Sequence, residues 1–140
     1  MASLVYNYFK ARNIAGSVDL DTDTIKVALV TSAYTPDKDA HHYRSSVTNE
    51  VTGTGYTAGG ATLSGKTVAE VDASDWAKFD ATDVTWTSSN ISARAAVLYK
   101  STGAAAADIL IAYVDFGATK TSSGGDFVIQ WATDGIMTLA

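Results

Sequence analysis

The segment Gly60–Thr67 (GATLSGKT) matches in full the pattern of a loop that cradles phosphate groups. In such a loop, backbone amides and the lysine hold the β- and γ-phosphates, while the last hydroxyl reaches magnesium. That chemistry needs a buried strand before the loop and a helix after it. Here Tyr56–Gly60 (YTAGG) precedes the motif, and Thr67–Asp72 (TVAEVD) follows it with β-branched residues. The surroundings therefore argue against nucleotide hydrolysis despite the match.

Three alternating aspartates, Asp19, Asp21 and Asp23, are typical of the start of a calcium loop. The rest of the pattern fails. Thr24 stands where the loop needs glycine, and Val30 stands where it needs a bidentate glutamate. We therefore interpret these residues as a solvated turn that leads from a helix into a strand.

His41 and His42 are the only histidines of the chain. Adjacent side chains on an extended segment point in opposite directions, so the two cannot easily bind one metal ion. There is no cysteine and no third histidine to complete a site. We interpret them as two exposed loop histidines, which could also titrate or contact a partner.

No catalytic residue, cofactor or metal ligand is predicted. The sequence contains no G-x-S-x-G elbow, and no feature selects a pair of carboxylates for sugar hydrolysis. Trp76, Trp86 and Trp131 could form a platform for carbohydrate, although such aromatics more often anchor a core or an interface. The chain is therefore not expected to be an enzyme.

Composition restricts the remaining function classes. The 140 residues include ten Lys and Arg against fifteen Asp and Glu, which gives a net charge of −5. The basic residues are scattered, which argues against nucleic acid as a partner. The beginning of the chain, MASLVYNYFKAR, resembles neither a signal peptide nor a membrane span, so no membrane partner is expected. We predict one domain, with a helix and connector over residues 1–18 and a β-sandwich over residues 19–140.

One helix is predicted, over Ser3–Ala15, with Ser3 as its N-cap and Gly16 as its left-handed end. Its apolar stripe can pack on the sheet of its own chain or on a neighbouring subunit. That stripe begins with Leu4, Val5, Tyr8 and Phe9.

The remainder of the chain favours short strands separated by glycine-rich turns. Tyr34–Glu50 shows no sustained period and is predicted to be a long loop with one helical turn, and Gly53–Gly60 to be a flexible connector. The pattern predicts a mainly β fold, an antiparallel β-sandwich or jelly-roll-like fold of seven or eight strands with one N-terminal α-helix. The predicted strands are Thr24–Thr31, Ala61–Val71, Lys78–Phe79, Val84–Trp86, Ser92–Lys100, Asp108–Phe116, Phe127–Trp131 and Ile136–Leu139.

The strand Asp108–Phe116 is apolar on both of its faces. A sandwich strand normally keeps one wet face, so this strand needs a second cover, either from the helix or from another protein. Arg94 lies among small alanines of the neighbouring strand and is either a solvated charge or half of an intersubunit ion pair.

Six segments of the chain carry a resemblance to known proteins: Leu20–Tyr34, Val47–Lys66, Phe79–Trp86, Ala93–Lys100, Ile111–Gly117 and Gly125–Trp131. Together they resemble a family of small virion proteins of tailed phages that are labelled only as structural. The resemblance extends from the N-terminal helix to the last strand and leaves the loop Tyr34–Arg44 unmatched. It implies a particle component without catalysis, located in the virion and made in the cytoplasm of a bacterial host.

The resemblance and the apolar strands together favour a capsid decoration or cement protein that bridges major capsid subunits. We expect it to be a homo-oligomer, specifically a trimer. The alternatives are a tail, baseplate or fibre-associated receptor-binding module and a carbohydrate-binding β-sandwich. The residues expected to contact a partner are Leu4, Val5, Tyr8, Phe9, Tyr34, His41, His42, Tyr43, Arg44 and Arg94.

Overall fold

The computed structural model describes residues 2–140 and is mainly β, with 43% of residues in strands and 10% in helices. Every strand pair is antiparallel, and the one α-helix lies near the N-terminus, consistent with a β-sandwich. The predicted fold class is therefore confirmed. The elements are β1 (Leu4–Val5), α1 (Asn7–Ile14), β2 (Ile25–Val30), β3 (Ala61–Thr62), β4 (Thr67–Val71), β5 (Trp76–Asp80), β6 (Val84–Ser89), β7 (Ser92–Lys100), β8 (Leu110–Thr121), β9 (Gly125–Ile129) and β10 (Met137–Leu139).

A five-stranded sheet in the order β1-β8-β7-β2-β3 forms the centre of the molecule. Its inner strands are rich in β-branched and aliphatic residues, which pack well on a pleated surface. A three-stranded sheet, β10-β5-β4, and a two-stranded sheet, β6-β9, complete the fold. No helix among residues 2–140 is both long and apolar enough to cross a membrane.

The first face of the five-stranded sheet, lined by Val27, Leu29 and Leu98, packs against the smaller sheets. Their contribution includes Phe79 from β5, Trp86 from β6 and further apolar residues from β9. Successive side chains alternate between faces, so the other residues of the same strands must find a different cover.

The second face, lined by Ala28, Val30 and Val97, is covered by Tyr6 and by an irregular segment that contributes Tyr34. The first part of β8, residues 110–113, is thus buried on both faces, as predicted, but its second cover comes from its own chain, and residues 117–121 are exposed. Apolar strand faces alone therefore do not require a neighbouring subunit here.

The helix is shorter than predicted, because Leu4–Val5 forms β1 and pairs with β8. Ser3 does not cap the helix. Its hydroxyl accepts a hydrogen bond from the backbone N–H of Asp115 (2.8 Å) and so extends the contact with β8. The predicted end is confirmed, since Gly16 follows the last turn with a φ of 79°. The predicted stripe is consequently divided between a strand and a helix.

The strands largely match their predicted positions, but there are ten rather than seven or eight. Ala61–Val71 is divided into β3 and β4, and β8 continues to Thr121, beyond the predicted end at Phe116. The predicted helical turn within the long loop is the 3₁₀ turn Arg44–Ser46.

Candidate functional site

Helix α1 and the loop Tyr34–Arg44 meet in a cluster of partly exposed side chains that we call the aromatic platform: Tyr8, Arg12, His42 and Tyr43. The rings of Tyr8 and His42 stack with their centroids 4.5 Å apart. The hydroxyls of Tyr8 and Tyr43 are 2.8 Å apart, and the Arg12 guanidinium lies 5.5 Å from the centre of the Tyr8 ring. The structure thus brings together residues that the sequence placed on separate elements.

A partly buried chain of hydrogen bonds holds the loop next to this platform. The Tyr6 and Tyr34 hydroxyls are 2.9 Å apart, and the Tyr34 hydroxyl is 2.9 Å from Nδ1 of His41. The backbone N–H of Asp37 donates to the same Nδ1 (3.2 Å), so this nitrogen is an acceptor and Tyr34 donates to it. Burial, followed by the bond to Tyr34, raises the pKa of Tyr6 well above its usual value, so the chain consists of neutral hydroxyls.

The end of the loop is fixed by an ion pair between Arg44 and Asp108. The Arg44 Nε lies 3.1 Å from the Asp108 carboxylate, which is almost fully buried, and the guanidinium lies 5.0 Å from the centre of the Tyr99 ring. Thr102 donates to the same carboxylate through its N–H (2.6 Å) and its hydroxyl (2.7 Å). Burial alone would raise the pKa of Asp108, but the bonds from Thr102 and Arg44 outweigh it and lower that pKa. Arg44 is therefore an anchor of the loop.

Arg94 forms an ion pair with Asp115 of the adjacent strand, with Nε 2.8 Å from the carboxylate. The hydrogen bond from Arg94 is the main reason that the pKa of Asp115 is lowered. Arg94 is thus paired within its own chain rather than being an unpaired charge, and its contact with another subunit stays a prediction. The pairing spans a register shift between β7 and β8, which the sequence does not reveal.

Sequence reasoning missed an open groove between α1 and the sheet β10-β5-β4. We call it the apolar groove. Its volume is about 600 Å³, and its lining includes Phe9, Phe79 and Met137. Ile14 and Leu139 stand beside it largely exposed. The only sequence signal for this groove was Ile14, an apolar residue in the last turn of a helix whose end is otherwise polar.

Comparisons of the chain with protein-family models, with curated proteins and with solved structures found no match. The resemblance to phage virion proteins therefore stays a prediction. The functional argument must come from the surfaces of this structure.

The residues predicted to contact a partner have different environments. Phe9 and Tyr34 are core residues with exposures of 4% and 3%, so their side chains offer no surface in this conformation. His41 and His42 stack on different rings, those of Tyr34 and Tyr8, and they are half-buried rather than exposed as predicted. The predicted contact surface as a whole stays a prediction, and the aromatic platform is its most coherent part.

The phosphate-loop match has a structural explanation in β packing. Gly60 has a φ of 80°, and a Cβ there would lie 1.8 Å from the carbonyl oxygen of Val27, so close approach to β2 requires glycine. The Lys66 ammonium donates to the backbone carbonyl of Asp23. Thr67 begins strand β4 rather than a helix, which confirms the context expected from the sequence.

The turn that contains Asp19, Asp21 and Asp23 is held by contacts within the chain. The backbone N–H of Asp19 donates to the Asp23 carboxylate (2.8 Å), and the Lys100 ammonium lies 3.0 Å from the same carboxylate. Within residues 2–140, no group of three or more His, Asp or Glu side chains is placed to hold a metal ion.

The three tryptophans do not form a common exposed platform. Trp86 is buried between Tyr56 and Phe127, with ring centroids 6.0 Å from each. Trp131 donates its indole N–H to the carbonyl of Thr82 (3.2 Å). Trp86 therefore belongs to the core rather than to a carbohydrate site.

Proposed function

We propose that this chain is a non-enzymatic structural protein of a tailed-phage particle, specifically a head decoration protein that binds neighbouring major capsid subunits. The observation that carries the proposal is the aromatic platform, a surface fixed in position by contacts within the chain. The resemblance of the sequence to phage virion proteins supports the same class of function.

The composition of the platform suits a binding surface. Tyrosine and arginine are enriched among the residues that contribute most to protein–protein affinity. In the platform, the Tyr8 ring stacks on the His42 ring and also contacts the Arg12 guanidinium, while its hydroxyl bonds to Tyr43. Few side-chain rotamers then remain to be lost on binding, which reduces the entropic cost of association.

The base of the platform is equally well fixed. His41, next to His42, bonds to Tyr34, and Arg44, next to Tyr43, bonds to Asp108. Because both neighbours are anchored, the exposed rings lie on a stable support. Such preorganisation is useful for a protein that must bind the same surface at many equivalent positions of a shell.

The test is sedimentation of the purified chain with heads of the phage that encodes it. We expect binding to expanded heads at hundreds of copies per particle, and little binding to immature shells. The double substitution His42→Ala/Tyr43→Ala should weaken binding by about 30-fold, as expected for loss of interface residues worth about 2 kcal/mol. Asp126→Ala, which changes an exposed residue outside the platform, is the control.

Two results would contradict the proposal in different ways. Failure to bind mature heads would remove the decoration role. Tens of copies per virion located on the tail would instead support the alternative of a tail, baseplate or fibre-associated component.

A further inference from the structure

Exposed apolar side chains are unevenly distributed over residues 2–140. Four large ones are exposed, namely Ile14 (88%), Leu139 (71%), Val128 (54%) and Val68 (51%). All except Val128 border the apolar groove. A concentration of exposed apolar surface around one hollow is typical of a contact site, whereas scattered single residues are not.

The groove has both the projections and the hollow that a self-complementary contact requires. Ile14 ends the helix on one wall, and Leu139 belongs to β10 on the opposite sheet. The floor between them includes Phe9 and Phe79. In a two-fold contact the same patch is used by both subunits, so the projections of one copy can fill the hollow of the other.

The charges on the groove are also complementary to one another. Lys10 and Lys78 line it together with Asp19 and Asp21, and none of the four belongs to a salt bridge within the described part of the chain. The Asp19 side chain bonds to that of Asp21, which raises the pKa of Asp21. The negative charge of this pair favours nearby cations; Lys66 of the same chain supplies one, and a second copy of the groove supplies two further lysines.

We propose that the apolar groove is the contact surface of a two-fold homodimer, with a second copy of this chain as its occupant. The dimer buries Ile14, Val68 and Leu139 of both copies and places the lysines of each opposite the aspartates of the other. It is separate from the aromatic platform and does not depend on the proposed particle role. It also differs from the trimer expected from the sequence.

The first experiment measures the mass of the full chain by sedimentation equilibrium. The wild type should have twice the monomer mass of 14.6 kDa. Val68→Asp should raise the dissociation constant at least tenfold, because it buries a charge in the contact. Val128→Asp is the matched control, since it makes the same change on a strand at nearly equal exposure, away from the groove. Circular dichroism should show both variants folded.

A charge exchange tests the two-fold arrangement itself. Lys10→Glu/Lys78→Glu and Asp19→Lys/Asp21→Lys should each weaken the dimer, because like charges then face one another across the contact. An equal mixture of the two variants should recover dimers that contain one copy of each.

The proposal is overturned if the wild type is a monomer or a trimer, or if the two valine variants dissociate equally. A wild-type monomer that binds heads, and loses that binding with Val68→Asp, would assign the groove to a capsid protein. If the wild type is a dimer that does not bind heads, the dimer proposal stands and the proposed function is rejected.

Discussion

The two faces of the five-stranded sheet are covered in different ways. On the first face, strands of the smaller sheets bring Phe79, Trp86 and Phe127 into a mainly apolar cluster. On the second face, an irregular segment is held by Tyr34 and by neighbouring polar contacts. Strands satisfy their backbone groups in ladders, whereas an irregular segment must find other partners for its polar groups.

The second face accordingly uses tyrosine hydroxyls as attachment points. Tyr99 donates to the carbonyl of Gly59 (2.5 Å), and Tyr6 and Tyr34 bond to one another. We therefore expect the first face to respond mainly to loss of side-chain volume. The second face should respond to loss of a single polar atom.

The largest effect is expected on the first face. Leu98 is fully buried, and Leu98→Ala should lower the free energy of unfolding by about 2–5 kcal/mol, since it leaves a cavity among packed strands. Urea unfolding measures this loss. Leu98→Met keeps most of the volume and should cost less than about 1.5 kcal/mol. Equal losses for the two variants would contradict a volume-dependent first face.

Asp108 tests the ion pair that supports the second face. Asp108→Asn keeps the size of the side chain but removes its charge, so the bonds from Arg44 and Thr102 weaken. The free energy of unfolding should fall by about 1–3 kcal/mol, as found for hydrogen bonds to charged groups. Asp126→Asn, at an exposed position, should have no measurable effect.

The same carboxylate predicts a pH dependence. The folded-state pKa of Asp108 is lower than its unfolded value, so its contribution is complete above the unfolded pKa of about 4. It is lost as the pH falls through the folded-state pKa. The stability difference between wild type and Asp108→Asn, measured by urea unfolding across this range, should therefore shrink at low pH. A constant difference would contradict the assigned shift.

Two tyrosine substitutions compare a buried hydroxyl with an exposed one. Tyr34→Phe removes the link between Tyr6 and His41 and should cost about 1–2 kcal/mol, because buried partners lose a hydrogen bond. Tyr43→Phe removes a similar hydroxyl contact, to Tyr8, on the partly exposed platform. Its cost in thermal or urea unfolding should be smaller. The reverse order would show that burial does not determine the cost.

Arg94→Ala should have the smallest effect. Arg94 and Asp115 form a pair at the protein surface, and such solvent-screened pairs contribute little to stability. Because the partner lies in the same chain, the mass of any oligomer should not change. A change in mass on sedimentation would return Arg94 to an interface between subunits.

The sequence predicted the regular parts of the first face well. Strand β7 was predicted with its observed bounds, Ser92–Lys100, because its apolar residues continue along both faces and polar residues end it. The start of the helix was wrong, since Leu4–Val5 fits either a helix or a strand. Leu4–Val5 becomes a strand because the edge of β8 is available for it to pair with, which the local sequence does not show.

The candidate sites were less predictable because they combine distant parts of the chain. The platform joins Tyr8 to His42, and the groove joins Ile14 to Leu139 across nearly the whole sequence. Periodicity reports which side of one element is apolar, but not which other element it will meet. The expected exposure of the two histidines was wrong, and the pairing of Arg94 with Asp115 was not predicted, for the same reason.

The short outer strands of the five-stranded sheet affect how readily further chains can pair with its edges. The five-stranded sheet ends in β1 on one side and β3 on the other, and each has only two residues. Long open borders recruit further chains through backbone pairing and so promote fibres. Because β1 and β3 are so short, these outer strands themselves give a further chain little backbone to pair with.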